Sequence, residues 1–386
     1  QFVNASGGNP GPIPPPSDGG GNPDPTPPSD GGGNPYPTPP SDGGGNPDPT
    51  PPSDGGGNPD PTPPSDGGGN PDPTPPVDDD DLGPEDTPFD DDDDYSAPAT
   101  PPADGGTDNS DSANIGEYGS LDAVNHQWQT VTLDSDYINP VVIVSDPTFK
   151  GSDPAVVRLQ NITDNSFQIR LQEPNYKDGN HTNEAISYLV VEAGDWTLSD
   201  GTRLSAGTYD TNRLTSKGFD TVDLTGFDYA PTILSQVQTF KGSDWVTTRT
   251  TGQSSNSFKL AMQEEEAGNK GGHVRETVGW FAIDQGVASD GDTLLQGGMT
   301  DRDHNHTTST VNFEQSFNAA PSLIAKLGSH YGSDTANLRI DGITNNSFGV
   351  RVHEERSLDR EINHTFESVS FVALQGQEGT LTGVAV

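Results

Sequence analysis

The chain of 386 residues has no cysteine, and its first 114 residues contain no lysine or arginine. The absence of cysteine excludes a disulfide framework, a thiolate zinc site and a cysteine nucleophile. Long apolar runs are missing too: none approaches the roughly 18 residues that a membrane-spanning helix needs. Hydrophobic residues make up only 28% of the chain. Positive charge is scarce throughout, with 18 Lys and Arg against 59 Asp and Glu, for a net charge of −41. Such a charge repels phosphate backbones and excludes nucleic-acid binding. There is no Gly-x-Ser-x-Gly elbow and no phosphate-binding loop. No signal peptide is visible, and Gln1 in place of Met reads as a processed end.

What is present falls into two materials. Residues 1–114 hold 30 of the 36 prolines and 23 of the 59 acidic residues. Residues 115–386 therefore hold 36 acidic and all 18 basic residues, a net charge of −18. The first part cannot bury enough apolar surface to offset its chain entropy, so it is expected to be disordered or polyproline-II-like. Residues 19–76 repeat GGGNPDPTPPSD with a period of 12, marked by Asn22, Asn34, Asn46, Asn58 and Asn70. Each copy joins a Gly-Gly-Gly hinge to a stiff proline piece, which is the build of a spacer or stalk. Thr26, Thr38, Thr50, Thr62 and Thr74 sit between prolines, where they are either O-glycan acceptors or plain linker residues. Residues 78–94 carry two aspartate runs, Asp78–Asp81 and Asp90–Asp94, read as solvated charge with loose Ca²⁺ gathering as the alternative.

The remainder hides a longer repeat. Phe149-Lys-Gly-Ser-Asp153 recurs as Phe240-Lys-Gly-Ser-Asp244 and as Tyr331-Gly-Ser-Asp334. Asn165-Ser-Phe167 recurs at Asn256 and Asn346, and Arg158, Arg249 and Arg339 keep the same spacing of 91 and then 90. Three domains are expected, at 115–207, 208–297 and 298–386. Phe167, Ile169 and Leu171 alternate with polar residues, the period-2 sign of a half-buried strand. Residues 140–144 and 186–191 are apolar on both faces, as strands inside a sandwich are. Turn signals fall every 8–12 residues, the all-β spacing. The fold class is all-β: three tandem antiparallel β-sandwiches behind the low-complexity segment.

The order of elements carries a resemblance. A Trp- or Phe-led strand is followed by a Pro-started apolar strand, a strand with Arg and an Asn-Ser-Phe strand. A polar loop with His and an aromatic-centred last strand complete each copy. This resembles the H-type lectin domain, in three copies over about 115–386. The resemblance implies a small six-stranded sandwich, binding of galactose-type sugars and assembly as trimers, with Arg and His among the sugar contacts.

One polar set recurs in each copy: Arg158, Glu173, His181 and Glu184; Arg249, Glu264, His273 and Glu276; Arg339, Glu354, His364 and Glu367. A hairpin would bring the Glu, His and Glu of a copy to one rim, with the Arg on a neighbouring strand. Three readings stay open. The set is structural pairing, or a carbohydrate site of charged hydrogen bonds, or a metal or glycosidase pair. Tandem triplication argues against catalysis. The densest ligand cluster is Asp301, Asp303, His304 and His306, which would take Ca²⁺ or a transition metal but lacks the Gly and terminal Glu of an EF-hand loop. The expected protein is secreted or cell-surface, non-catalytic and lectin-like, with an extracellular polysaccharide or glycan as partner. The alternatives are a self-associating structural subunit of a glycosylated filament or coat, and an accessory fragment of a polysaccharide-degrading enzyme.

Overall fold

The computed structural model describes residues 112–386. The 12-residue repeats, the five threonines Thr26, Thr38, Thr50, Thr62 and Thr74, and both aspartate runs lie outside the described residues. Within them the chain forms strands and one short 3₁₀ turn. Repeat 1 supplies β1 (Ala113–Val124), β2 (Gln129–Thr132), β3 (Pro140–Val144), β4 (Val156–Gln160), β5 (Ser166–Gln172), β6 (Glu184–Glu192) and β7 (Gly194–Thr197). Repeat 2 supplies β8 (Arg203–Thr211), β9 (Asp220–Asp223), β10 (Thr232–Val237), β11 (Val246–Thr251), β12 (Ser257–Glu264), β13 (Glu276–Ile283) and β14 (Gly286–Asp290). Repeat 3 supplies β15 (Thr293–Met299), β16 (Ser309–Asn312), β17 (Ser322–Leu327), β18 (Ala336–Asp341), β19 (Ser347–Glu354), β20 (Val369–Leu374) and β21 (Glu378–Ala385). The expected boundaries at 207/208 and 297/298 fall inside β8 and β15, because the first strand of each later repeat starts earlier.

Six strands of each repeat make an antiparallel sandwich. An outer sheet of order β2-β5-β4 lies over an inner trio β1-β6-β3, and repeats 2 and 3 copy this with β9-β12-β11 over β8-β13-β10 and β16-β19-β18 over β15-β20-β17. Along β5 the side chains of Phe167, Ile169 and Leu171 are fully buried and their neighbours are not, so the alternation in the sequence is the pleat itself. An equivalent aromatic pair recurs in each sandwich: Phe167 on Tyr188, Phe258 on Trp280 and Phe348 on Phe371, with ring centroids 5.5, 5.7 and 5.3 Å apart. The Tyr188, Trp280 and Phe371 rings also cover a glycine on the neighbouring strand. A Cβ at Gly119, Gly207 or Gly298 would come within 2.5–2.6 Å of them.

The seventh strand of each repeat joins it to another. β7 pairs with β8 and β14 pairs with β15, each as a hairpin with the next repeat. β21 instead returns to β1, paired from Ala113↔Gly383 to Gly119↔Glu378 with a register shift between Asn114 and Gly116. The last strand therefore closes on the first, and the inner edge of β1 is covered.

Closure creates a fourth core. Within β3, Val142 and Val144 point into the private core of repeat 1, while Val141 and Ile143 point into a central one. The partition recurs: Ile233 is private and Leu234 central, and Leu323 and Ala325 are private with Ile324 central. Phe281, Ile283, Val372 and Leu374 complete the central cluster with Leu189, Val191 and Leu381 of β21. The inner strands are apolar on both faces because they line two cores.

Truncation after Gln377 removes β21, exposes the β1 edge and takes Leu381 out of the central core. Calorimetry of the full chain is expected to give a single transition for the three repeats. The truncated chain should melt lower, with loss of that single transition.

Candidate functional site

The recurring Glu, His and Glu come together within each repeat as the sequence suggests, but each Arg joins the set of another repeat. Each Arg lies on β4, β11 or β18, the edge strand of its outer sheet, and that edge abuts the next repeat. Arg158 of repeat 1 donates to the backbone oxygens of Asp244 (2.6 Å) and Gly242 (3.2 Å) and lies 3.8 Å from Glu276, all of repeat 2. Arg249 of repeat 2 donates to the Ser329 carbonyl (2.9 Å) and to Glu367 (2.8 Å) of repeat 3. Arg339 of repeat 3 donates to the Gly151 carbonyl (2.5 Å) and to Glu184 (2.9 Å) of repeat 1. The three seams form a cycle.

The Glu at each seam is gripped from its own repeat as well. Glu184 accepts from the backbone N–H of Lys150 and Gly151 and from the Thr148 hydroxyl. Glu276 takes Lys241, Gly242 and Thr239, and Glu367 takes Tyr331, Gly332 and Ser329. The recurring Lys-Gly-Ser turn is thus a cradle for the recurring carboxylate. Its glycine lies under the histidine ring, where a Cβ at Gly151, Gly242 or Gly332 would meet His181, His273 or His364 at 2.5–2.9 Å.

Each histidine bridges two carboxylates. His181 reaches Glu173 through Nδ1 (2.9 Å) and Glu184 through Nε2 (3.2 Å). His273 lies 2.6 Å from Glu264 and 3.5 Å from Glu276, and His364 lies 2.6 Å from Glu354 and 3.3 Å from Glu367. Burial works to lower the His273 pKa, but the hydrogen bond to Glu264 and the nearby Glu276 carboxylate outweigh it and raise it to about 9. His364 is raised by the same balance. Burial works to raise Glu184, yet His181, Thr148 and the two backbone N–H groups bring it down to about 2. Burial draws Arg158 and Arg339 down to about 10, so both stay charged at neutral pH. At every seam an Arg thus faces a Glu that a His bridges to a second Glu.

All twelve residues are buried, none more than 6% exposed. A sugar ring reaches them only if a seam parts. The arrangement does what a structural pair does: it neutralises charge inside an interface. Aromatic rings close the seams further out. Arg158 stacks over Phe240 at 4.5 Å, Arg351 over Phe149 at 4.3 Å, and Phe219 meets His330 edge-on at 5.2 Å.

Asp301, Asp303, His304 and His306 do not bring three ligating atoms within 4.8 Å of one another. His304 is buried against Ser309 (2.5 Å) and Asp303 (3.1 Å), while Asp301 is exposed and its carboxylate stands apart. Among the described residues, the group of three whose ligating atoms lie within 4.8 Å of one another is Asp244, Glu264 and His273. Asp244 is the last residue of the recurring turn motif, which was the available signal for it. Its counterpart Asp153 is taken by Lys177 at 2.5 Å. Sequence reasoning also missed the polar cluster at the centre of the ring. Lys326 donates to Asp146 (2.7 Å) and to Gln236 (3.0 Å), and all three are buried.

No family model and no solved structure matches the chain. It is similar to halomucin of Haloquadratum walsbyi (strain DSM 16790 / HBSQ001), 30% identical over 273 residues, 68% of this chain and 3% of halomucin. It is also similar to Micronemal protein 15 of Toxoplasma gondii, 29% identical over 118 residues, 27% of this chain and 4% of that protein. The chain therefore spans only a few per cent of the length of either relative.

The His273 bridge has a pH signature. Its pKa in the fold lies above the ordinary value, so its contribution is whole below about pH 6.5 and lost as pH rises through about 9. His273→Gln is expected to cost about 1.5–3 kcal/mol near pH 6, the usual worth of hydrogen bonds to charged groups. Urea unfolding of parent and variant at several pH values should show that gap closing between about pH 6.5 and 9.

Proposed function

We propose that the protein is a non-catalytic, extracellular adhesion module of lectin type, a carbohydrate-binding head of three sandwiches joined to the Pro/Gly/Asp-rich segment. The observation that carries this reading is the closure of three six-stranded sandwiches into one ring with cyclically repeated seams. A trimer of H-type lectin domains would make such a ring from separate chains; here one chain supplies all three copies. The similarity to halomucin and to a micronemal protein supports an extracellular, surface setting.

Because the seam residues are buried, the reading assigns sugar contact to exposed side chains. Tyr229 is 84% exposed on the loop before β10 and borders an open hollow with Asp228, Asp284 and Gln285. An exposed tyrosine ring covers the apolar face of a pyranose, and flanking carboxylates take its hydroxyls. The equivalent positions, Ile138 and Ala319, carry no aromatic ring, so this platform belongs to repeat 2 alone.

The test is glycan-array binding by the full chain and by Tyr229→Ala, whose exposed side chain can be removed without changing the melting temperature. The parent is expected to bind galactose-type glycans and the variant to lose at least tenfold in apparent affinity. Ordered polymers with no glycan binding would favour the coat or filament reading instead.

A further inference from the structure

The loops between the fifth and sixth strands of the repeats meet one another, and the first two junctions are built on the same plan. At the first, the backbone N–H of Asn175 donates to Glu265 Oε2 (3.0 Å) and the Asn175 amide donates to Glu265 Oε1 (2.5 Å). Both oxygens of that buried carboxylate are satisfied. At the second junction, every residue is one repeat further on. Glu266 stands in the place of Asn175, and Glu355 in the place of Glu265. The backbone bond is kept, Glu266 N–H to Glu355 Oε2 at 2.7 Å, with Ser357 as a second donor to the same oxygen. The side-chain bond cannot be kept, because a carboxylate has replaced the amide donor. Glu355 is 1% exposed, and its Oε1 has no partner. Glu266 Oε2 is likewise shielded and without a partner.

Two buried, unpartnered carboxylate oxygens therefore occupy the place where the first junction has a hydrogen bond. Leaving such groups unpaired is costly, and two like charges make it more so. More negative charge is near: Asp334 and Asp359 both act on Glu266. Glu266, Asp334, Asn269 and Ser333, with Lys270 and His330, line a cavity of about 250 Å³ beside the pair, which has room for water. The third junction avoids the conflict, since its counterparts are Arg356 and Pro174, and the Arg356 N–H donates instead to the Tyr176 hydroxyl.

We propose that Glu266 and Glu355 hold a Ca²⁺ ion at the junction of repeats 2 and 3, bridging them where repeats 1 and 2 are bridged by an amide. The two carboxylates offer oxygen donors only, which favours a hard cation over a transition metal. The adjoining water-sized space suits the six to eight oxygen ligands of Ca²⁺. Asp334 lines the same cavity as Glu266 and is the candidate for a further carboxylate ligand.

The experiment is thermal unfolding of the full chain near pH 7.5, with CaCl₂ titrated at constant ionic strength so that general screening of the acidic chain cancels. Parent, Glu266→Asn and Glu355→Gln are compared. The parent is expected to gain roughly 5 °C once Ca²⁺ exceeds its dissociation constant a hundredfold. Glu266→Asn restores the amide of the first junction, so it should unfold without Ca²⁺ at or above the parent's temperature and ignore added Ca²⁺. Glu355→Gln should also lose the response, which keeps the test decisive if one variant folds poorly. An equal response in all three proteins places the ion elsewhere, the aspartate runs included, and overturns the proposal. So does a parent that ignores Ca²⁺ but loses stability as pH rises from about 6 to 8, the mark of a proton shared between the two carboxylates.

Discussion

A buried guanidinium needs a carboxylate, and in this chain no repeat supplies one for its own arginine. Arg158, Arg249 and Arg339 are each 0–1% exposed and each finds its acid in the next repeat. Removing one partner of such a buried pair typically costs about 3–5 kcal/mol, because the other charge is left in a low-dielectric site. An isolated repeat would face that cost, and it would also expose the half of β3, β10 or β17 that lines the central core. The ring is therefore the folding unit, and the closing β21–β1 pairing and the three seams describe one constraint.

Strand positions were legible because the pleat writes itself into the sequence as alternation, as in Phe167, Ile169 and Leu171. The antiparallel sandwich followed from those strands and their turns, and its six strands were implied only by the resemblance to the H-type lectin domain. The central core was not legible, for a physical reason. Val141-Val-Ile-Val144 announces burial on both faces but does not say whether the second face meets its own outer sheet or a neighbouring repeat. The same limit governed the polar set. Glu, His and Glu share one hairpin and could be placed together from spacing. The arginine is equally recurrent, yet recurrence at a fixed interval fits pairing within a repeat as well as between repeats, and only the edge position of β4 decides. Burial of all twelve residues followed from the packing of repeats on each other, which periodicity does not report.

Fusion of three copies in one chain lets equivalent positions differ, and the departures from threefold symmetry are informative. Ser145, Gln236 and Lys326 are equivalent, and at the ring centre Lys326 answers Asp146 while Gln236 accepts from it and donates to the Val157 carbonyl. Three copies of any one of these residues would leave the cluster with unmatched charge or too few donors, so the three positions are not interchangeable. Arg170 and Arg351 cover aromatic rings at two seams, while Ala261 leaves the third seam without that cover. Tyr229 and the Glu266–Glu355 pair are likewise found once. The common scaffold is the threefold part, and the individual chemistry lies where the repeats diverge.

The central claim, that three repeats share one core and open together, is tested most directly by native-state hydrogen exchange of the full chain. The account predicts that the slowest amides of β3, β10 and β17 exchange through one global opening, with the same free energy and the same denaturant dependence. Three separate free energies, one per repeat, would contradict it.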